Sequence, residues 1–260
     1  MSDAYDPGLS IRGAGDAIVL VPGMNGSGEL FYRQVPLLER SYRVATYSLR
    51  DDADQFETLV EDLAGVVDRT ASPDGRAVIV GESFGGAVAL TFALKHPQRV
   101  SALVILNSFP RFTPQFRLNL AIAGLAAVPW NTMPLVRRMT AWRLHSPHTT
   151  GDEVRRFIEM TAHTSREGYI SRLKLLRKYD VRHRLHELAP PTLFLAAERD
   201  HLVPSVTEAR YMAARVPESS LRVLEGHGHI CLIAPDLDLC RIIGEWRTPL
   251  SASIDRAGRR

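Results

Sequence analysis

The stretch AVIVGESFGG, Ala77 to Gly86, sets a run of apolar residues directly against a glycine-rich turn. Such a short apolar run, bounded by glycine, predicts a buried strand. The residues that follow, up to Pro97, have the composition and pattern of a helix. The segment therefore predicts a strand, a sharp turn at 81–85 and a helix.

The turn carries a serine in the pattern G-x-S-x-G, with Ser83 at its centre. A serine on a sharp strand-to-helix turn has a strained backbone, and the flanking glycines leave room where side chains would clash. The turn also puts Ser83 at the N-terminus of a helix, where the peptide dipoles favour negative charge. The pattern alone is common and could be a chance turn, but the strand and helix around it favour a nucleophile.

Outward from this turn, apolar strands alternate with amphipathic helices. Continuous apolar strands in such an alternation predict a mostly parallel sheet covered on both faces by helices. Strands are predicted at 17–23, 42–49, 77–81, 102–108, 192–197 and 221–225, and helices at 54–70, 86–97, 206–216 and 237–246.

The alternation stops between about Pro110 and Leu188, where the sequence predicts only helices. Their predicted ranges are 116–128, 135–145, 151–163 and 167–181. A block of helices is therefore expected to interrupt a strand-helix domain.

Composition limits the classes of function. The chain has 260 residues, 45% hydrophobic and 23% charged, which is typical of a globular protein. The net charge of +3, without a clustered basic motif, predicts no nucleic-acid partner. The apolar stretch from Leu120 to Trp130 is shorter than the roughly 20 residues needed to span a bilayer. The N-terminus lacks a basic region followed by an apolar run, so the expected location is cytoplasmic.

With its nucleophile turn and alternating elements, the chain resembles the α/β-hydrolase superfamily over nearly its whole length. The resemblance implies an α/β-hydrolase core at 1–108 and 189–260, with a helical lid at 109–188 inserted in it. It also implies a Ser–acid–His triad in that chain order. Serine in the turn favours the esterase and lipase-like branch over the haloalkane dehalogenase and epoxide hydrolase branches, which use aspartate there.

The resemblance places the acid at Asp200, in the loop after the strand TLFLAA. An aspartate after a strand is often only a cap or turn residue. Some members carry the acid after the preceding strand instead, but that position reads Asn107-Ser108 here. Asp200 is therefore the predicted acid, and its role would be to hold the imidazole in the correct tautomer.

Two histidines compete for the base, His227 and His229 in LEGHGHICL. Family members typically place the histidine about five residues beyond the last apolar strand residue, which is Leu224 here. This spacing favours His229, as does the apolar stretch that follows it, although that stretch is one residue shorter than in the family. His227 remains the alternative.

The turn VPGMNGSG supplies the expected oxyanion hole. The resemblance places one backbone N–H donor at Met24 and the second at Phe84, directly after the nucleophile. The alternatives are a flexible turn or a phosphate cradle, and the second is disfavoured because the Lys-Ser/Thr ending of a P-loop is missing.

Aromatic residues of the lid, Phe109 and Trp142 among them, are expected to line the substrate pocket or to pack the lid onto the core. The basic run 172–187 could attract acidic substrates or a membrane surface, but such a run is usually the solvated face of a helix. The histidines and the two cysteines show no metal-ligand spacing and no disulfide framework, so no metal and no cofactor are predicted.

These observations predict a serine hydrolase that cleaves an ester-type bond of a small or medium acyl substrate. Ser83 would form the acyl-enzyme, His229 would act as base and Asp200 would orient it. An acyltransferase or a C–C bond hydrolase could use the same triad. A ligand-binding protein on a hydrolase scaffold is the remaining alternative, but such proteins often lose a triad residue.

Overall fold

The computed structural model describes residues 8–112, 123–124, 129–133, 135, 138 and 144–247. Within these residues the strands form a seven-stranded sheet in the order β1-β3-β2-β4-β5-β6-β7. Strand β1 pairs antiparallel with β3, and every other pair in this sheet is parallel. The strands are β1 (Ser10–Arg12), β2 (Asp16–Val21), β3 (Tyr42–Thr46), β4 (Ala77–Glu82), β5 (Val100–Leu106), β6 (Thr192–Ala197) and β7 (Ser219–Leu224).

Helices cover both faces of the sheet, because its central strands are apolar on both sides. In β2, Val19 and Val21 face a core shared with α2, α3 and α6, whereas Ile18 and Leu20 face a core shared with α1 and α7. The helices whose bounds fall within the described residues are α1 (Val35–Leu38), α2 (Phe56–Thr70), α3 (Phe84–Lys95), α4 (Gly151–Ala162), α5 (Arg166–Leu176), α6 (Ser205–Ala213) and α7 (239–247).

The predicted mostly parallel sheet flanked by helices is confirmed. The bounds of the strands differ by a few residues; the strand predicted at 42–49, for example, ends at Thr46. Sequence reasoning missed β1 and α1, which have three and four residues. Elements this short carry too little hydrophobic periodicity to be recognised.

The strand order reverses at β2, next to the predicted site residues. The chain runs from β2 to β3 on one side of β2 and then returns to β4 on its other side. Val21 at the end of β2 lies beside Gly81 near the end of β4. In parallel α/β sheets, ligands bind at such a switch point, beyond the carboxyl ends of the strands. Met24 and Ser83 both follow these two strand ends.

The long segment between β5 and β6, residues 107–191, contains α4 and α5. Each of these two helices begins at a hydroxyl cap: Thr150 Oγ1 accepts from the N–H of Glu153, and Ser165 Oγ accepts from the N–H of Gly168. Helix α4 matches the helix predicted at 151–163, and α5 ends five residues before the end of its prediction, at Leu176. Most of the helices predicted at 116–128 and 135–145 lies outside the described residues.

Over the ranges that the structure describes, no helix combines the length and the apolar character that crossing a membrane requires.

Candidate active site

Ser83 sits at the junction of β4 and α3 with φ 52° and ψ −117°, a backbone conformation that residues with a side chain rarely adopt. Backbone and side-chain hydrogen bonds hold it there. The N–H of Ser83 donates to the Leu106 carbonyl at 2.9 Å, and Ser108 Oγ donates to the Ser83 carbonyl at 2.7 Å. Strand β5 therefore fixes the turn from one side.

Glycine at position 85 allows α3 to start directly against the end of β2. A Cβ atom on Gly85 would lie 2.3 Å from the Val21 carbonyl oxygen and 2.5 Å from that of Pro22. Gly81 is equally constrained, because its Cβ would lie 2.5 Å from the carbonyl oxygen of Gly85. The glycines of the motif therefore bring the nucleophile turn and the loop of Met24 together.

His229 lies in the loop after β7, with its ring between Ser83 and Asp200. Its Nε2 is 3.0 Å from Ser83 Oγ, and its Nδ1 is 2.6 Å from Asp200 Oδ2. These distances join three side chains from three separate loops into one hydrogen-bonded chain. Because Asp200 accepts from Nδ1–H, the lone pair of Nε2 faces the serine hydroxyl.

Asp200 is held by more than the histidine. Its Oδ1 accepts from the N–H groups of Leu202 and Val203, both at 2.9 Å, and its Oδ2 also accepts from Ser205 Oγ. Burial by itself would raise the pKa of Asp200, but the charge of His229 and the hydrogen bonds from His229, Ser205 and Val203 outweigh it and lower the pKa. The carboxylate is therefore fixed in position and ionised.

The His229 imidazole is buried, with 4% of the residue exposed. Burial by itself would lower its pKa, but the charge and hydrogen bond of Asp200, with the charge of Glu82, outweigh burial and raise the pKa. This environment stabilises the imidazolium form that a general base passes through.

His227, the alternative base, points elsewhere. Its Nδ1 is hydrogen-bonded to Ser146 Oγ at 2.9 Å, and its Nε2 lies 3.7 Å from Asp236 Oδ2. Burial is the main cause that lowers its pKa, opposed by the charge of Asp236. These contacts join the His227 ring to Ser146 and Asp236 rather than to Ser83 or Asp200.

Residues 144–146 brace the loop of His229. Leu144 accepts from the N–H of Ile230 at 2.8 Å, and Ser146 Oγ accepts from the N–H of Gly228 at 3.2 Å. A Cβ on Gly228 would lie 2.7 Å from the His145 carbonyl oxygen, so the two segments are in close contact. The β5–β6 segment thus holds this loop on both sides of the histidine.

Asn107, which the sequence marks only as a position without an acid, is hydrogen-bonded to the backbone of His229. Its Nδ2 donates to the His229 carbonyl at 2.8 Å, and its Oδ1 accepts from the N–H of Ala197 at 2.7 Å. Its φ is 49°, in the left-handed region that asparagine tolerates better than most residues. The feature of the sequence that could have pointed to Asn107 is its position directly after a buried strand.

Glu82, directly before Ser83, is a second group that sequence reasoning missed. The residue is 8% exposed, and Oε1 lies 3.8 Å from His229 Nε2. Its carboxyl group also packs against Gly23, where a Cβ would lie 2.2 Å from Oε2. Burial raises the pKa of Glu82 to about 7, the charge of His229 opposes this rise, and Asp200 adds to it. A titratable carboxyl group therefore borders the Ser83–His229 pair.

The family model of the alpha/beta hydrolase fold matches residues 16–234. The chain belongs to the alpha/beta hydrolase family. The protein is therefore an enzyme of the hydrolase type, as the sequence predicted.

Relatives of this alpha/beta hydrolase include proteins named carbamate hydrolase RutD. The protein of that name from Escherichia coli O157:H7 is 27% identical over 228 residues, covering 82% of this chain and 84% of the relative. The one from Cronobacter turicensis is 29% identical over 246 residues, covering 89% of this chain and 88% of the relative.

Solved structures of the same fold include a thermophilic esterase from Thermogutta terrifontis, with a TM-score of 0.79 and 23% identity, over 92% of this chain and 91% of that one. The enol-lactonase from Burkholderia xenovorans LB400 has a TM-score of 0.72 and 21% identity, over 85% of this chain and 88% of that one. At these identities the similarity establishes the shared fold alone.

In this hydrolase, the expected oxyanion donors lie on the two sides of the β2–β4 crevice. Met24 is three residues beyond the end of β2, and Phe84 is the first residue of α3. The loop of Met24 is closed by a turn in which the N–H of Gly26 donates to the Gly23 carbonyl at 3.0 Å. Their role as donors remains a prediction.

Phe109, one of the two predicted pocket residues, is 3% exposed and packs in an aromatic row behind the site. Its ring lies 5.1 Å from that of Phe112 and 6.4 Å from that of Tyr179. Tyr179 stacks on Phe56, whose ring is 5.6 Å from that of Phe84. Trp142, the other predicted pocket residue, lies outside the described residues. The pocket role of Phe109 and of Trp142 stays a prediction.

Among the described residues, no group of three or more histidine, cysteine, aspartate or glutamate side chains has the geometry to hold a metal ion.

Proposed function

We propose that this alpha/beta hydrolase cleaves an ester-type bond of a small or medium acyl substrate through an acyl-enzyme on Ser83. The observation that supports the proposal is the hydrogen-bonded chain from Ser83 Oγ through His229 to Asp200, with links of 3.0 and 2.6 Å. A nucleophile, a base within reach of its proton and a carboxylate that orients the base form the working set of a serine hydrolase.

In the acylation step, Ser83 Oγ attacks the substrate carbonyl carbon while its proton passes to His229 Nε2. The carbonyl oxygen becomes an oxyanion, which the N–H groups of Met24 and Phe84 would stabilise. Each well-placed donor contributes about 3 kcal/mol to the lowering of such a barrier. Collapse of the intermediate breaks the bond to the leaving alcohol, which takes the proton from His229 Nε2.

In the deacylation step, His229 Nε2 removes a proton from water, and the resulting hydroxide attacks the acyl carbon bound to Ser83. The second tetrahedral intermediate expels Ser83 Oγ, which recovers its proton from His229. Asp200 keeps its charge throughout and stabilises the imidazolium formed in each step.

The segment 109–188 would act as a lid over this site. Two features support this role: the segment is inserted between β5 and β6, and its residues Leu144 and Ser146 hydrogen-bond to the loop of His229. A lid in this position would shape the pocket and select the acyl group.

The test combines covalent labelling with ester turnover. A fluorophosphonate should label Ser83, and the Ser83→Ala variant should lose both labelling and hydrolysis of a p-nitrophenyl ester. Ser220→Ala is the matched control, because Ser220 is an exposed residue of β7. Labelling of another serine with Ser83 untouched would overturn the proposal.

A second candidate is cleavage of a carbamate, in which Ser83 would carry a carbamoyl group. The relatives named carbamate hydrolase, which match 82% or more of this chain, favour this substrate class. Comparing the hydrolysis rates of a p-nitrophenyl carbamate and of the p-nitrophenyl ester of matching chain length tests this candidate.

Two further reactions could use the same triad. Product analysis with added alcohol or amine acceptors would separate hydrolysis from acyl transfer, and a vinylogous diketone substrate would test C–C cleavage.

A further inference from the structure

Arg172 begins the basic run 172–187 but does not share the solvated face expected for that run. The residue lies on α5 and is 1% exposed. Farther along the run, Arg182 and Arg184 have side chains that are 41% and 39% exposed and pair with Asp180 and Glu187. The expectation of a solvated face is therefore wrong for Arg172.

The Arg172 guanidinium donates to the loop that carries Met24. Its Nε donates to the Met24 carbonyl at 3.0 Å, and its Nη2 donates to the Asn25 carbonyl at 3.4 Å. Its Nη1 binds the loop after β3, at the Arg50 carbonyl (3.4 Å) and at Asp51 Oδ1 (3.1 Å). One side chain of the β5–β6 segment thus joins two loops at the carboxyl ends of β2 and β3.

Two glycines leave the space for this guanidinium. A Cβ on Gly26, which has φ +77°, would lie 2.6 Å from Arg172 Nη1. A Cβ on Gly168, one turn before Arg172 on α5, would lie 2.9 Å from Arg172 Nη2 and 1.8 Å from Asp51 Oδ1. Side chains at either position would force the arginine off the loop.

Burying an arginine against backbone carbonyls does little for stability. Desolvation of the charge is costly, and the carboxylate partner Asp51 is half-exposed, so the ion pair offsets only part of that cost. In some proteins, buried charges of this kind serve instead to fix one conformation. The conformation fixed here is that of residues 24–26, where the Met24 N–H of the proposed oxyanion hole lies.

We propose that Arg172 is a positioning residue that holds the peptide carbonyl of Met24, so that the N–H of the same residue faces the developing oxyanion. The inference rests on the function proposed above. It makes the oxyanion hole depend on α5, a helix of the β5–β6 segment. In this role Arg172 would act through the Met24 peptide and not on the substrate.

The main test variant is Arg172→Met, which keeps an unbranched apolar stem at this position but removes every donor. We expect kcat for a p-nitrophenyl ester to fall about 10- to 100-fold, the size of effect that follows weakening of one oxyanion donor. KM should stay nearly constant. Affinity for a trifluoromethyl ketone, which places an oxyanion in the hole when Ser83 adds to it, should fall in parallel with kcat.

Two further variants separate positioning from folding. Arg172→Lys keeps the charge but cannot reach both loops at once, so it should fold and show a smaller loss of both kcat and ketone affinity. Arg177→Ala removes an exposed arginine just after α5 and should leave kcat and ketone affinity unchanged.

The outcomes distinguish the two proposals. Wild-type kcat and ketone affinity in both Arg172 variants, with Ser83 of the wild type labelled by the fluorophosphonate, would overturn the positioning role alone. Arg172 variants that lower only the melting temperature would overturn it as well. Failure of the fluorophosphonate to label Ser83 in the wild type would overturn the proposed function and this inference with it.

Discussion

Glu82 Oε1 lies 3.8 Å from His229 Nε2, the ring nitrogen that faces Ser83 Oγ. Burial raises the pKa of this carboxyl group to about 7. The His229 imidazole therefore has two buried carboxyl neighbours, Asp200 on Nδ1 and Glu82 near Nε2. The negative charge of each carboxylate raises the pKa of His229. The pH dependence of the enzyme should reflect both.

Replacing Glu82 by glutamine should move the acid limb of the kcat/KM profile to lower pH. Activity requires neutral His229, and the charges of Asp200 and Glu82 outweigh burial and raise the pKa of His229, so the wild-type midpoint should lie above that of an ordinary histidine. Glutamine removes the negative charge that favours the imidazolium, so the pKa of His229 falls. The profile of ester hydrolysis against pH measures the shift.

Asp236→Asn is the matched control for Glu82→Gln. Asp236 lies 3.7 Å from Nε2 of His227 rather than beside His229, so this change should leave the acid limb in place. An acid limb that stays at its wild-type pH in Glu82→Gln would contradict the electrostatic link between Glu82 and His229.

His229→Ala should lower kcat by a factor on the order of 10⁴ or more, judging by triad knockouts elsewhere. His227→Ala should lower kcat far less, because the His227 ring is hydrogen-bonded to Ser146 and not to Ser83 or Asp200. Steady-state kinetics of both variants on one ester measures the contrast. An inactive His227→Ala with an active His229→Ala would reverse the assignment of the base.

Asp200→Asn should keep the fold but lower kcat about 10⁴-fold. The amide would still accept from the N–H groups of Leu202 and Val203, but its NH₂ group would face His229 Nδ1. The imidazole would then carry its proton on Nε2 and could not accept one from Ser83. Denaturant unfolding checks that the fold is kept, and steady-state kinetics measures the loss of kcat. Asp74→Asn, in an exposed turn before β4, serves as the control. Near-wild-type kcat in Asp200→Asn would exclude this residue as the orienting acid.

Asn107→Ala should lower the free energy of unfolding by about 2 to 4 kcal/mol, because it leaves the Ala197 N–H and the His229 carbonyl buried without that partner. Urea unfolding measures the loss. Asn131→Ala, at an exposed position, should change stability by no more than about 0.5 kcal/mol. Equal stability of the two variants would show that the Asn107 bridge contributes nothing.

The fold and the nucleophile turn could be predicted from the sequence because their signals are local. A buried parallel strand is a contiguous apolar run, and GESFG lies within five residues between such a strand and a helix. The strand and the turn needed only neighbours in the chain. The preference for His229 over His227 needed the family resemblance as well, because the expected spacing beyond Leu224 is that of the family.

Burial of charged side chains was decided by the tertiary structure alone. Arg172 looks like the other basic residues of its run, and only packing against the loops after β2 and β3 shows that it is buried. Glu82 and Asn107 are likewise ordinary polar residues in the sequence. Desolvation and hydrogen bonding depend on groups brought together from distant positions, so no local pattern records them.

For the same reason, the sequence shows which residues form the candidate site but not how they come into contact. The residue types and their order, serine then acid then histidine, are written in the chain. The contacts that join them are not: 146 positions separate Ser83 from His229, and 29 separate His229 from Asp200. Only the folding of β2, β4, β6 and β7 into one sheet brings the loops at their carboxyl ends together, and with them the charges that set each pKa.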